Sequence, residues 1–142
     1  METVINGFII SDDKRMLQAD RVKEMLSTSY WAKNRSVETI NKAIENSICF
    51  GAYINGNQVG FARCVTDYST MYWLCDVIID SDYRGLGLGK AIMSAITEYD
   101  ELKPLFGILA TSDAQGLYSQ FGFSAVDENK YMRRGSAIDI TE

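Results

Sequence analysis

Histidine is absent from all 142 residues. A chain with no imidazole cannot build Ser-His-Asp or Cys-His nucleophile pairs, ligate zinc through histidine or use imidazole as an acid or base. Proton transfer must fall to carboxylates, tyrosines, lysines, water or backbone. Cysteine is sparse: Cys49, Cys64 and Cys75 are odd in number, contain no C-x-x-C pair and each sit in an apolar run. They read as small buried hydrophobes in a reduced, cytoplasmic protein. There is one proline, Pro104, no basic-then-apolar leader at Met1-Glu2-Thr3, and no apolar run of membrane-spanning length. The net charge of -5 argues against a broad nucleic-acid or anionic-membrane surface. No metal is implied.

What is present is ordinary globular material, 46% apolar and 23% charged. A chain of this length buries roughly two-thirds of its unfolded surface without disulfide or metal support. No repeat, low-complexity tract or linker divides it, so residues 1–142 read as one domain with a fraying tail over 135–142. Phe8-Ile9-Ile10 reads as a first strand, and Ser11-Asp12-Asp13 as the start of a helix whose apolar stripe is Ala19, Val22, Met25 and Leu26. Ser36 caps a second helix carrying Val37, Ile40 and Ile44. Ile48–Ile54 and Gln58–Thr66 are strands joined by Asn55-Gly56, a pair suited to the positive φ angles of a tight hairpin. A third strand, Met71–Ile79, runs into Arg84-Gly85-Leu86-Gly87-Leu88-Gly89-Lys90 and then a helix striped by Leu88, Ile92, Ala95, Ile96 and Tyr99. Leu105–Ala110 is a buried strand, Ala114–Phe121 a short helix ended by Gly122, and a last strand is expected near Tyr131-Met132. The order β-α-α-β-β-β-α-β-α-β describes an α/β domain with a mixed central sheet, antiparallel in front, with a β-α-β crossover behind.

The glycine-spaced segment is the most informative. Glycines on alternate positions between strand and helix let backbone approach a ligand and aim several N–H groups one way. Arg84 and Lys90 stand at a helix start, where cations cost roughly 0.3–1 kcal/mol each unless an anion compensates. A Walker A loop would need glycine where Arg84 stands and Ser or Thr where Ala91 stands; a dinucleotide fingerprint read from Gly85 would need glycine at Lys90. Neither fits. Arg-x-x-Gly-x-Gly does.

With Arg84, Gly87 and Gly89 in that pattern, the chain resembles the GNAT superfamily of N-acetyltransferases. Ala114, Leu117 and Tyr118 followed by Gly122-Phe123 match the superfamily's next helix, and the element order agrees over about residues 7 to 134. The runs Ser29-Tyr30-Trp31-Ala32, Cys49-Phe50-Gly51, Val59-Gly60-Phe61-Ala62-Arg63 and Asp76-Val77 with Tyr83-Arg84-Gly85 look like one bacterial branch of it. Two positions depart: Gln115 stands where branch members often have histidine, and Thr111 where many superfamily members place asparagine near the cofactor.

The resemblance implies acetyl transfer from acetyl-coenzyme A, a cosubstrate, to a primary amine, small molecule or peptide, by direct attack in a ternary complex. It implies that the loop from Arg84 through Gly85, Leu86, Gly87, Leu88 and Gly89 to Lys90 holds the pyrophosphate, with Asp113 and Tyr118 nearby. Backbone amides at Val77 and Ile79 would take the thioester and pantetheine arm, and Tyr118 would protonate the departing thiolate unless it is only core packing. Asp76, a carboxylate in an apolar run, is buried and must be paired or functional. A hairpin folded about Tyr68-Ser69 sets Arg63 opposite Leu74 and diagonal to Asp76, so an Arg63–Asp76 ion pair stands beside a role as base or amine anchor. A slip of one residue in that register would separate the two. Tyr30, Trp31, Arg63 and Tyr72 are candidate acceptor contacts, and the aromatics among them are equally what a small core uses. A coenzyme A-binding sensor without turnover is the alternative function. The oligomeric expectation is monomer or homodimer, with no nucleic-acid or membrane partner.

Overall fold

The computed structural model describes residues 1–135. Its six-stranded sheet runs in chain order: β1 (Glu2–Ile5), β2 (Phe8–Ser11), β3 (Ile48–Ile54), β4 (Asn57–Thr66), β5 (Met71–Ile79) and β6 (Phe106–Leu109). Neighbours are antiparallel as far as β5, and β5 pairs with β6 in parallel. Helix α1 (Ala19–Ser27) and α2 (Val37–Glu45) lie between β2 and β3, α3 (Leu88–Thr97) makes the β5–β6 crossover, and α4 (Gln115–Ser119) follows β6. The mixed α/β sheet with an antiparallel front and a crossover carrying the glycine loop is therefore present.

The sheet separates two apolar clusters. One packs Leu88, Ile92, Met93 and Ile96 of α3 against Ile10, Phe50, Ala62 and Leu74. The other packs Val22, Met25, Leu26 and Ile40 of α1 and α2 against Cys49, Phe61 and Ile78. Alternation along β3 explains the division, with Ile48 and Phe50 on one face and Cys49 on the other. Each fully buried aliphatic side chain contributes roughly 1.5–3 kcal/mol.

Beyond shifts of a residue or two at strand and helix ends, three parts of the chain differ from the sequence reading. A strand precedes the expected first one, because Asn6 and Gly7 adopt φ 50° and 85° and close a β1–β2 hairpin just as Asn55 and Gly56 (φ 50° and 78°) close β3–β4. The Ser11–Asp13 cluster starts a 3-10 turn, Lys14–Met16, in which the Asp13 carboxylate accepts from Arg15 N; α1 begins later, at Ala19. Tyr131-Met132 forms no strand: the pair stands between Lys130 and Arg133, Met132 is 97% exposed, and two apolar residues flanked by charge offer no face to bury. The expected fray lies, past Gly135, outside the described residues.

The β4–β5 pairing holds the most consequential difference. Arg63 pairs with Cys75 and Cys64 with Leu74, one residue off the expected register. Farther along, Phe61 pairs with Ile78, which leaves Ala62 facing both Asp76 and Val77. This is a β-bulge, and Asp76 takes φ 55° in it, a conformation aspartate tolerates better than most residues. The extra residue inverts the alternation of β5: Tyr72 and Leu74 face α3, whereas Ile78 faces α1 and α2. No described helix is long and apolar enough to cross a membrane.

Candidate active site

β5 outruns its parallel neighbour. The pairing with β6 ends at Leu74–Leu109, and β5 continues past the bulge from Cys75 to Ile79 with no partner strand on that edge among the described residues. The sheet opens here, and the half-buried Val77 and Ile79 lie on the opened stretch, packed toward the α3-side core. Backbone polar groups along the cleft are available to a ligand.

The glycine segment follows at once. Gly85 and Gly87 adopt φ 77° and 82°, and a Cβ at either would meet nothing within 4 Å. They are glycine for backbone conformation, not for packing. Gly87 is the N-cap of α3 and supplies no side-chain cap, so among the described residues no side chain caps the first-turn amides. Arg84 donates from Nε to the Ile79 carbonyl oxygen at 3.2 Å, holding its guanidinium beside the end of β5. Arg84, Leu86 and Lys90 are exposed; Leu88 is 2% exposed and belongs to the core, leaving only its backbone to the cleft. Uncapped amides, a helix dipole and two cations at one helix start are features that favour a nearby anion.

α4 docks beside this helix start: a Cβ on Gly89 would lie 3.7 Å from Leu117. Tyr118 is 3% exposed in the α3-side core, edge-on to Phe123 with ring centroids 6.3 Å apart. The turn before α4 is tied by Thr111, whose Oγ1 accepts from Ala114 N at 3.0 Å and Asp113 N at 3.3 Å; Asp113 itself is exposed. Across the cleft, the Tyr30 hydroxyl shares a 2.5 Å hydrogen bond with Ser112 Oγ, joining the α1–α2 connection to this turn. Tyr30 is 55% exposed and stacks edge-on against Trp31 at 5.1 Å.

Asp76 points to the α1–α2 side. Its Oδ2 accepts from Arg35 Nη1 at 2.7 Å and Arg63 Nε at 2.8 Å, and its Oδ1 from Trp31 Nε1 at 3.2 Å. The residue is 1% exposed. Of the readings open for Asp76, the ion pair with Arg63 is the one whose contacts are formed, and it survives the register slip because the bulge re-aims the carboxylate. Trp31 and Arg63 thus face Asp76, while Tyr30 alone of the acceptor candidates reaches the mouth. Tyr72 is 6% exposed and its ring lies over Gly107 of β6, where a Cβ would come within 2.5 Å of it; burial raises its hydroxyl pKa. It is a core residue on the α3 side. Arg35 carried no local signal, since 41 residues separate it from Asp76.

The thiols are inert by position. Burial pushes Cys49 up to about 11 and Cys75 up to about 12, and raises Cys64 as well. A thiol kept neutral is neither nucleophile nor acyl carrier. We expect no reaction of the native protein with a disulfide reagent at neutral pH, and three equivalents on denaturation. The same shifts give an alkaline limb: above pH 9 the unfolded chain ionises first, so stability declines as pH rises toward about 11. A native thiol reacting at neutral pH would refute the burial argument. No cluster of three or more metal-ligating side chains occurs among the described residues. A cavity of about 440 Å³ lined by Ile5, Asp12, Ala91 and Tyr99 lies at the opposite sheet edge, against β1.

Residues 45–125 match the family model described as an acetyltransferase (GNAT) domain. A Gibberella zeae protein whose name places it among acetyltransferases is 30% identical over 111 residues, 64% of this chain and 63% of that one. The chain thus spans about three-fifths of that curated relative. A crystal structure from Xanthomonas campestris pv. campestris, assigned to the GNAT family, is 35% identical with a TM-score of 0.89, covering 94% of this chain and 96% of the other. An aminoglycoside 6'-N-acetyltransferase in complex with coenzyme A shares the fold at 19% identity and a TM-score of 0.55, over 63% of this chain and 53% of its own.

Proposed function

The chain belongs to the GNAT acetyltransferase family, and from that premise we propose that it moves the acetyl group of acetyl-coenzyme A to a primary amine by direct attack in a ternary complex. The observation that carries this reading is the uncapped, glycine-turned start of α3 lying beside the unpaired stretch of β5. The two features suit the two ends of one cosubstrate, pyrophosphate at the helix and thioester at the strand. Acetyl-coenzyme A supplies the activated carbonyl carbon, whose bond to sulfur breaks as the bond to the amine nitrogen forms.

The chain's residues divide the remaining work. Leu88, Gly89 and Lys90 offer backbone N–H groups to the phosphates, and Arg84 and Lys90 add charge. Amides at Val77 and Ile79 hold the arm and stabilise negative charge developing on the carbonyl oxygen. Tyr118 gives its proton to the departing thiolate, and the amine passes its own to water. No protein base is required. Asp76 we assign to structure, since its carboxylate is already taken up by Arg35, Arg63 and Trp31. Tyr30 and Trp31 border the acceptor side, where an alkyl or aromatic amine would meet the Tyr30 ring.

Melting with and without acetyl-coenzyme A, followed by thiol release across a panel of amines and peptides, tests this. The silence of the protein's own thiols keeps the background low. A melting shift with turnover is expected. A shift without turnover on any acceptor would favour a coenzyme A sensor, and no shift would mean that the loop holds a different anion. Tyr118→Phe should leave acetyl-coenzyme A affinity within about twofold while lowering kcat by about a hundredfold, the usual lower bound for a lost general acid. An unchanged kcat would leave Tyr118 as packing.

A further inference from the structure

The anion loop has two stems, and they are held differently. Its exit is fixed by Leu88, buried in the core, but Arg84 to Gly87 are all exposed. The entrance is fixed at Asp80, the residue that follows β5. Asp80 N donates to the Val59 carbonyl at 2.8 Å, its Oδ1 accepts from Asp82 N at 2.9 Å, and its carbonyl accepts from Tyr83 N at 2.9 Å. The remaining carboxylate oxygen, Oδ2, accepts from Arg21 Nη2 at 2.5 Å. Arg21 stands in the first turn of α1, on the opposite face of the sheet from α3. Its Nε donates to the Gln58 carbonyl at 3.0 Å and its Nη1 pairs with Glu24 at 2.9 Å.

Arg21 is itself held in place. Gln18 N donates to Gln58 Oε1 at 2.8 Å, Gln58 N donates to Gln18 Oε1 at 3.2 Å, and Gln58 is fully buried. The start of α1 is therefore bonded to the start of β4, and the guanidinium bridges from there to the turn that delivers Arg84. The side chains of Arg21 and Asp80 are 24% and 18% exposed, shielded enough to exceed a freely solvated ion pair.

We propose that Arg21 and Asp80 form a positioning pair that pre-sets the entrance of the anion loop, so that Arg84 and the α3 amides converge before the cosubstrate arrives. The pair rests on the reading of that loop as the acetyl-coenzyme A site. Preorganisation of this kind lowers the ordering cost of binding and leaves the chemical step alone. It acts on the phosphates and not on the acetyl group.

The test is a double-mutant cycle on the full chain, with isothermal titration of acetyl-coenzyme A and steady-state kinetics. Arg21→Met and Asp80→Asn should each raise the Kd and the KM for acetyl-coenzyme A about tenfold, with kcat at saturation within about twofold. The double variant should be no worse than either single one, the mark of one shared interaction. Arg21→Lys, which can reach Asp80 or Gln58 but not both, should fall between. Turnover with S-acetylpantetheine, which lacks the pyrophosphate, should be untouched. A purely structural pair would lower the melting temperature and leave the Kd of the folded protein unchanged, which overturns the proposal; so would a hundredfold, additive loss in the double variant. If Arg21→Met does not fold, Asp80→Asn decides alone, because asparagine keeps the acceptor for Asp82 N. Failure of the unaltered protein to bind acetyl-coenzyme A would instead remove the loop reading on which the pair depends.

Discussion

Gly87→Val should abolish acetyl-coenzyme A binding, raising the Kd by about a hundredfold or more, while the far-ultraviolet circular dichroism stays that of the unaltered protein. Gly87 sits at φ 82° as the N-cap of α3. A left-handed conformation costs an L-residue roughly 1–2 kcal/mol, and a β-branched one resists it further. Nothing lies within 4 Å of the Cβ position, so the core is not invaded and the strain must be relieved within the loop. Relief turns the first-turn amides away from their common focus. Losing two hydrogen bonds to a charged group, each about 1.5–3 kcal/mol, corresponds to a hundredfold or more. The Val side chain would also occupy the space that the phosphates need. Gly87→Ala should show a smaller loss of the same kind. Titration of the folded variant is the check, and affinity retained within tenfold would detach the loop from cosubstrate binding.

Asp76→Asn should produce the largest loss of stability without a matching loss of chemistry. Asparagine can keep the φ 55° bulge. Being neutral, it removes the carboxylate that Arg35 and Arg63 share, and those side chains are 5% and 13% exposed. Removing one partner from a buried ionic cluster costs about 3–5 kcal/mol, which for a domain of this size corresponds to a fall in Tm of about 10 °C or more. Turnover per folded molecule should stay within about twofold. The opposite pattern, an intact Tm with kcat lost, would give the carboxylate a part in proton transfer. Asp76→Ala should be worse than Asp76→Asn, because alanine neither accepts the Trp31 bond nor tolerates the bulge.

The sequence made the local features readable and left the long-range ones hidden. Asn55-Gly56 predicts its hairpin because two residues decide the turn; Asn6-Gly7 carries the same information, but its first strand exposes Glu2, Thr3 and Val4 and shows no buried alternation. The burial of Asp76 was legible from its apolar neighbours. Its pairing with Arg63 followed from counting an uninterrupted hairpin, and the count was off by one residue. The bulge restored the contact, and nothing in the letters marks a bulge at an aspartate. Trp31 and Arg35 reach Asp76 from 45 and 41 residues away, a distance that periodicity does not span. The same holds for Arg21 and Asp80. The glycine loop was readable because it is contiguous: backbone conformation, helix start and cations all lie within seven residues of one another.

The division of the interior by the sheet has a consequence for how this protein can change. The α3-side cluster supports the loop and Tyr118, and the α1–α2 cluster supports the segment carrying Tyr30 and Trp31. Substitutions in clusters that share no side-chain neighbour combine nearly additively. On the proposed reading, acceptor preference can therefore drift through residues 28–40 with donor recognition retained, provided that Tyr30, Trp31 and Arg35, which bond Ser112 and Asp76 across the two layers, are kept. Arg21 reaches across in the same way, from α1 to Asp80 at the entrance of the glycine loop, so changes that remodel α1 should have to keep it or replace it together with Asp80.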